Sequence, residues 1–275
     1  MDRVDSGRIP AWRVLVSRGS LDRLAGAPGV TAYMLHRARV TGTLPPPAPR
    51  WTPLAEISPY LVASVVKAED PRFFTHRGID WREMVQVLRR RLRGGALRGL
   101  STITQQLARN LFLSPRRALS RKALEGVIAL RLERAFDKLR ILEIYLNVVE
   151  WGDGVWGIEA ASRHYFDRSP AELDAFESAF LAALLPAPRR PLQGWFARRA
   201  RGSFHYVFFQ LKEEGFATQP DFEGALARMD GLLAATTRGV RTRDALEALA
   251  RFAPRRIPAH GGSPSLHEVV ERLRR

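Results

Sequence analysis

Residues 57–70, ISPYLVASVVKAED, carry the helical pattern from which the fold of the chain is inferred. The pattern opens at Pro59, and Pro71 is expected to end or bend the helix. Four apolar residues fall on one face of this helix: Leu61, Val62, Val65 and Val66. Helical periodicity recurs over five later stretches: 81–92, 124–132, 139–149, 160–165 and 174–185. Because alternating strand patterns are scarce, the chain is predicted to be mainly α.

Glycine and proline separate these helices. The sequence TLPPPAP at 43–49 favours an extended linker. After a glycine-containing stretch, Thr102 and Gln105 have the spacing of a capping box, which predicts a helix starting near Ser101. The glycines of 152–157 predict a loop. The chain is accordingly divided into an N-terminal segment with its Pro-rich linker at 1–50, a folded region at 51–233 and a basic C-terminal tail of unknown role at 234–275.

The charge of the chain restricts its partners. Of the 275 residues, 44 are Lys or Arg and 28 are Asp or Glu, which gives a formal net charge of +16. Such an excess predicts an anionic partner, which is a nucleic acid, an acidic membrane surface or a phosphorylated substrate. The 45% of hydrophobic residues excludes a wholly disordered chain, and the absence of Cys excludes disulfides and thiolate chemistry.

Membrane segments are not visible in the sequence. No stretch approaches 18 uninterrupted apolar residues, so no ordinary transmembrane helix is expected. The apolar patch at 12–16 is too short for the hydrophobic region of a signal peptide.

Basic residues concentrate between positions 81 and 122, where eleven Lys or Arg residues accompany one acid, Glu83. They flank the polar sequence STITQQ at 101–106, and this combination suits a phosphate cradle. Arg117, Arg121 and Glu125 follow at i, i+4 and i+8, so they share one helix face. Two interpretations are open: an exposed Arg121–Glu125 ion pair, or two cations and a carboxylate that face one cleft.

A second concentration of functional residue types is EDPRFFTHRGID at 69–80. Glu69 ends an apolar helix, and a carboxyl at the rim of a core has a raised pKa that suits a general base. Glu69 as a plain surface acid and His76 as a packing residue are the alternatives at this point.

Five motifs in order resemble the peptidoglycan glycosyltransferase family. They are EDPRFFTHRGID (69–80), STITQQLARNLF (101–112), RKALE (121–125), ILEIYLNVVEWGDGVWGIEAASRHYF (141–166) and FESAFLAALLPAP (176–188). The stretch at 145–161 is particularly similar to the monofunctional biosynthetic transglycosylases. The resemblance covers about 51–190 and continues more weakly to about 233.

This resemblance implies a mostly helical, lysozyme-like domain with a smaller jaw subdomain next to the membrane. It implies polymerisation of lipid II by β-1,4 linkages, with inversion and release of undecaprenyl pyrophosphate. Glu69 matches the general base, and Glu125 matches a second carboxylate that assists departure of the pyrophosphate or positions a cation. The donor-side polar positions are Ser101, Thr102, Gln105 and Gln106. The cationic positions near the pyrophosphate are Arg117, Arg121 and Lys122. Further substrate contacts are expected from Phe73, His76, Arg109 and Asn147.

The family also implies the surroundings in which such a protein works. Its expected partners are lipid II, the growing glycan strand, an anionic membrane surface, and penicillin-binding proteins or division and elongation components. No nucleic acid and no organic cofactor are expected, and the chemistry is compatible with Mg²⁺ or another divalent cation, for which no ligand is assigned. The expected location is the periplasmic or cell-wall side of the inner membrane.

Three other functions are weighed against this one. A nucleic-acid-binding protein would explain the charge, but it would not require Glu69 and Glu125 at this spacing. A lytic, lysozyme-like enzyme would need no pyrophosphate cradle. A weakened family member acting as a scaffold is suggested by three departures from the family pattern. They are Leu100 in place of Gly or Ala, Arg109 in place of Lys, and the lack of an N-terminal membrane helix.

Overall fold

The computed structural model describes Leu24 and residues 26–92, 101–113, 119–252 and 264–275. Within these ranges the chain is mainly α, as predicted. The helices are α1 (Ala32–Thr41), α2 (Pro59–Glu69), α3 (Trp81–Leu92), α4 (Ile103–Phe112), α5 (Leu119–Ala135), α6 (Lys138–Val148), α7 (Ile158–Phe166), α8 (Ala175–Leu184), α9 (Gly194–Glu213), α10 (Gln219–Thr237), α11 (Thr242–Phe252) and α12 (Leu266–Leu273). Strands β1 (Glu150–Gly152) and β2 (Val155–Trp156) pair antiparallel. Short 3₁₀ turns lie at Leu54–Glu56, Phe73–Thr75 and Pro170–Glu172.

Helix α2 lies at the centre of the core and packs against α8, α9 and α12. Pro59 occupies its first turn, where a missing N–H costs nothing because that group has no partner in a helix. Residues 60–66 are all buried, and the helix ends at Glu69 before Pro71, as the sequence predicts. Burial of this apolar helix therefore fixes the position at which its last residue, Glu69, emerges.

Helix α4 packs against α1, α5 and α6 on another side of the core. It begins at the predicted capping box, in which Thr102 Oγ1 accepts from the Gln105 backbone N–H and Gln105 Oε1 accepts from that of Thr102. The N–H of Ile103 donates to Asp70 Oδ2 at 3.0 Å. The start of α4 is thereby joined to the end of α2.

Helix α3 forms as predicted, but its apolar stripe faces outward at the start. Trp81 is 60% exposed, and Met84 and Val85 are also exposed, whereas Val87 is buried. The stripe recurs at helical spacing, yet these three side chains do not pack into the core.

The glycine-rich stretch after α6 forms a hairpin of β1 and β2 where a loop was predicted. Gly154 and Gly157 have φ of 76° and 77°, which glycine adopts without strain. A Cβ on Gly157 would lie 2.6 Å from the backbone oxygen of Asn147. The close approach of β2 to the end of α6 therefore requires glycine at this position.

Both ends of the described chain contribute to the same core. Met34 of α1 and Val269 of α12 are fully buried, and Ala245 of α11 is buried in the same cluster. Residues 234–275, expected as a tail, thus include two helices with buried faces. The limits at 50 and 233 stay predictions. In the part of the chain described, no helix combines the length and apolarity that a membrane crossing requires.

Candidate active site

The Glu69 carboxylate is held by a side chain of α4, which a side chain of α6 holds in turn. Its Oε2 accepts from Gln106 Nε2 at 2.7 Å, and Tyr145 Oη donates to Gln106 Oε1 at 3.1 Å. Burial raises the pKa of Glu69, and the negative charge of Asp70 adds a smaller rise. The hydrogen bond from Gln106 and the charges of Arg109 and Arg199 lower this pKa. Burial has the largest effect, so the carboxylate is a better proton acceptor than an ordinary glutamate.

Asp70 and His76 stabilise the turn that follows Glu69. His76 Nε2 lies 2.9 and 3.1 Å from the two Asp70 carboxylate oxygens, one of which also accepts from the Ile103 N–H. Phe73 is fully buried, and Lys138 Nζ lies 4.3 Å from the centroid of its ring. His76 and Phe73 therefore have packing partners within the protein, and their contact with substrate stays a prediction.

Asp70, His76 and Asp80 bring potential metal-binding atoms within 4.8 Å of one another. The carboxylate of Asp80 is, however, bound bidentately by Arg72 at 2.8 and 2.7 Å and also accepts from the Glu83 N–H. Both oxygens of Asp70 are likewise hydrogen-bonded. Because a cation would have to displace these partners, the set does not fit a divalent metal, and the compatibility of the chemistry with Mg²⁺ or another divalent cation stays untested.

Glu125 is 1% exposed and lies on α5 between two cations. Arg121 Nη1 binds its Oε1, and Lys122 Nζ lies 3.1 Å from its Oε2. An exposed Arg121–Glu125 pair is therefore excluded. Arg117, predicted on the same face, lies outside the described residues, as does Leu100.

Lys122 connects this carboxylate to the start of α4. Its Nζ donates to Ser101 Oγ at 2.7 Å and lies 3.4 Å from Gln105 Oε1. Burial, and to a lesser degree the charges of Arg109 and Arg121, lower the pKa of Lys122 to about 8. A cation in such surroundings gains from the approach of an anion.

Helix α4 thus connects the sites of two carboxylates, Glu69 and Glu125. Gln106 binds Glu69, the preceding residue Gln105 faces Lys122, and Arg109 influences the pKa values of both Glu69 and Lys122. Of the residues predicted for the site, those brought together are Glu69, Ser101, Gln105, Gln106, Arg109, Arg121, Lys122 and Glu125.

Thr102 and Asn147 have structural partners that the sequence did not reveal. Thr102 Oγ1 donates to the Gly78 carbonyl at 2.6 Å besides capping α4. Asn147 is fully buried, where it donates to the carbonyls of Thr52 and Glu143 and accepts from the Thr52 N–H. The side chain of Asn147 thus holds the segment before α2. The predicted substrate contacts of Thr102 and Asn147 stay untested.

Two residues near Glu69 were missed by sequence reasoning. Tyr145 falls in the helical stretch 139–149, for which the sequence indicates periodicity alone, although its hydroxyl binds Gln106. Burial raises the pKa of Tyr145 well above 10, and the negative charge of Glu69 adds to this rise. Arg199 lies on α9, about 130 residues along the chain from Glu69, in a region to which no chemistry was assigned. No local sequence signal indicates its proximity.

Comparison with known proteins gives one family. Residues 38–211 match the family model of the transglycosylases. The chain is 51% identical over 141 residues to a biosynthetic peptidoglycan transglycosylase of Rhodospirillum centenum, which covers 51% of this chain and 61% of that protein. A protein of the same name from Aromatoleum aromaticum is 47% identical over 164 residues, which cover 57% of this chain and 71% of that protein. Another from Agrobacterium fabrum is 46% identical over 169 residues, which cover 58% of this chain and 75% of that protein. The chain therefore spans less than two thirds of the first of these relatives.

Proposed function

Because the chain belongs to the transglycosylase family, we propose that it is a peptidoglycan glycosyltransferase that polymerises lipid II into β-1,4-linked glycan strands. The observation that carries the proposal is the pair of sites, at Glu69 of α2 and Glu125 of α5, that α4 connects. One is a carboxylate with a raised pKa at Glu69, and the other is a cluster of cations around Glu125. A base beside an anion-binding cluster suits attack on a carbon that bears a pyrophosphate.

Glu69 is the proposed general base. Gln106 holds its Oε2, while Oε1 has no hydrogen-bond partner among the described residues and can accept the proton of the acceptor's 4-hydroxyl. The deprotonated oxygen then attacks the anomeric carbon of the lipid-linked chain. As the new C–O bond forms, the bond to the pyrophosphate oxygen breaks, and undecaprenyl pyrophosphate leaves with the electron pair. Direct displacement inverts the anomeric configuration.

The cations around Glu125 are proposed to stabilise the leaving group. Negative charge develops on the pyrophosphate in the transition state, where fixed cations act most strongly. Lys122 and Arg121 are held by Glu125, and Arg109 lies close enough to influence the pKa of Lys122. Glu125 is thereby given the role of orienting these cations before the substrate arrives. The role that the family resemblance implies for Arg117 stays a prediction, because this residue lies outside the described ranges.

An outward-facing surface supports action at a membrane. It consists of Trp81, Met84 and Val85 of α3 with Tyr206 and Phe209 of α9, and we call it the aromatic face. Burial raises the pKa of Tyr206, and the negative charge of Glu83 on α3 adds to the rise, so α3 lies within electrostatic reach of this part of α9. Aromatic residues favour the interface between lipid and water, and nearby basic residues favour anionic lipids.

Exposed cations accompany the aromatic face, namely Arg82 and Arg89 of α3. We therefore propose that this face lies on the cell-wall side of the inner membrane, where lipid II is presented. Residues 93–100, within the predicted basic stretch between 81 and 122, lie outside the described residues. Penicillin-binding proteins or division components stay predicted partners.

The experiment that tests the proposal is incubation of the purified protein with labelled lipid II in detergent, with and without Mg²⁺. Glycan polymer is then separated from unreacted lipid. Polymer formation that depends on protein is the expected result. Unreacted lipid under all conditions, together with a salt-sensitive shift of nucleic acid on a gel, would contradict the proposal and favour the binding-protein alternative.

A further inference from the structure

Helix α12 lies beyond residues 38–211, the part of the chain that matches the family, yet it packs against α2. Val269, Val270 and Leu273 form its buried face, and Ser265 and Glu268 form a capping box at its start. The helix therefore buries an apolar face against the element that ends at Glu69. Burial of this kind gives a short helix its stability.

Arg272 of α12 connects this helix to the last turn of α2. Its Nη1 donates to the backbone carbonyl of Glu214, and its guanidinium lies 4.7 Å from the centroid of the Phe216 ring. The Glu214 carboxylate in turn accepts from Lys67 Nζ at 2.6 Å. Lys67 lies two residues before Glu69, and its side chain is largely buried. A continuous series of contacts thus runs from Arg272 of α12 through Glu214 to Lys67, close to the carboxylate of Glu69.

A second contact reaches the chain after Glu69. The guanidinium of Arg274 lies 5.9 Å from the centroid of the Phe74 ring, and Phe74 packs edge-on against Phe73 at 5.1 Å. Phe73 and Phe74 form the 3₁₀ turn that follows α2. Arg272 of α12 and Arg274, which follows the helix, therefore reach the chain on both sides of Glu69.

We propose that α12 positions Glu69, with Arg272 acting as a positioning residue through Glu214 and Lys67. Glu69 is the last residue of α2, and the ends of helices fray unless neighbouring groups hold them. The packing of α12 and the contact between Lys67 and Glu214 hold this end. The kinetic test of this proposal rests on the function proposed above, whereas its test by amide hydrogen exchange does not.

If the end of α2 loosened, Glu69 would move relative to the groups that face it. They are Gln106 and Arg109 of α4, Tyr145 of α6, Arg199 of α9 and the adjacent Asp70. None of them belongs to α12. A looser end of α2 would admit water to Glu69, and the burial that raises its pKa would weaken. The acid limb of the pH–rate profile would then move to lower pH, a change that loss of stability alone does not produce.

The test compares two arginine variants in the full chain, one on α12 and one just after it. Arg272→Ala removes the contact to Glu214, and Arg275→Ala removes an equal charge from the exposed end of the chain. Amide hydrogen exchange of residues 66–76 reports the end of α2, and lipid II polymerisation reports kcat and KM. For Arg272→Ala we expect faster exchange at 66–76, kcat lower by about tenfold, KM within about twofold of wild type and an acid limb at lower pH. Arg272→Lys, which keeps one donor for the Glu214 carbonyl, should recover part of kcat.

Three results would overturn the inference. They are exchange and kcat equal to those of Arg275→Ala, faster exchange spread evenly over the chain, and a lower kcat with an unchanged acid limb. If the wild-type protein forms no glycan polymer, the proposed function is wrong. The exchange comparison still decides whether α12 holds the end of α2.

Discussion

The hydroxyl of Tyr145 offers a perturbation that removes one atom and no charge. Tyr145→Phe deletes the donor to Gln106 Oε1, which leaves that oxygen without its 3.1 Å partner. Because the pKa of Tyr145 is raised well above 10, the hydroxyl is protonated over the whole assay range and donates at every pH tested. Its loss is expected to lower the free energy of unfolding by about 1 kcal/mol, the usual net value of one hydrogen bond.

The effect on the reaction follows from the partner of Gln106. The same amide holds Glu69 Oε2 at 2.7 Å, so a freely rotating Gln106 misplaces the proposed base. We expect kcat for lipid II polymerisation to fall about tenfold, which corresponds to about 1.4 kcal/mol in the barrier, with KM little changed.

Tyr33→Phe is the matched control for this variant. Tyr33 packs edge-on against Trp156 at 5.7 Å, and its hydroxyl has no hydrogen bond to the described residues. Urea unfolding and initial polymerisation rates of both variants give the two quantities. A Tyr145→Phe enzyme as stable and as fast as Tyr33→Phe would refute the role of Gln106 in holding Glu69.

Three further predictions concern the cation cluster and the aromatic face. Lys122 is charged below its pKa of about 8 and neutral above it, so kcat/KM should fall as pH rises through 8, and Lys122→Arg should remove this alkaline limb. Glu125→Gln leaves the partly exposed Arg121 and Lys122 without their charged partner, and denaturant titration should show a loss of about 1–3 kcal/mol in the free energy of unfolding together with weaker lipid II use. Trp81→Ser combined with Met84→Ser should reduce co-sedimentation with anionic vesicles at low salt, and binding equal to wild type would show that the aromatic face does not contact lipid.

The fold was largely predictable because its helices carry strong local signals. The apolar residues of α2 and the capping box of α4 determine these elements within their own sequence. The hairpin of β1 and β2 was interpreted as a loop because its strands are two or three residues long and include glycine. The exposure of Trp81 was not predictable, because helical periodicity shows that a face exists but not whether a partner covers it.

The site was predictable where residues of one motif act together. Glu69 and the Gln106 motif were identified as candidates, although their hydrogen bond joins α2 to α4 and is not visible in sequence. Arg199 and Arg272 were not identified, since their proximity to Glu69 and Lys67 depends on how α9 and α12 pack. Contacts between distant elements require the three-dimensional structure.

The central claim is that Glu69 removes the proton from the attacking hydroxyl, and its most direct test is the polymerisation rate of Glu69→Gln. Glu223→Gln, on the exposed side of α10, is the control with the same chemical change. Burial raises the pKa of Glu69 above its ordinary value, so the charged form costs stability at neutral pH and the glutamine variant should melt no lower than wild type. We predict a folded Glu69→Gln protein whose rate is about 10²–10⁴-fold below that of Glu223→Gln. A folded Glu69→Gln protein that polymerises lipid II within a few-fold of the control would contradict the claim.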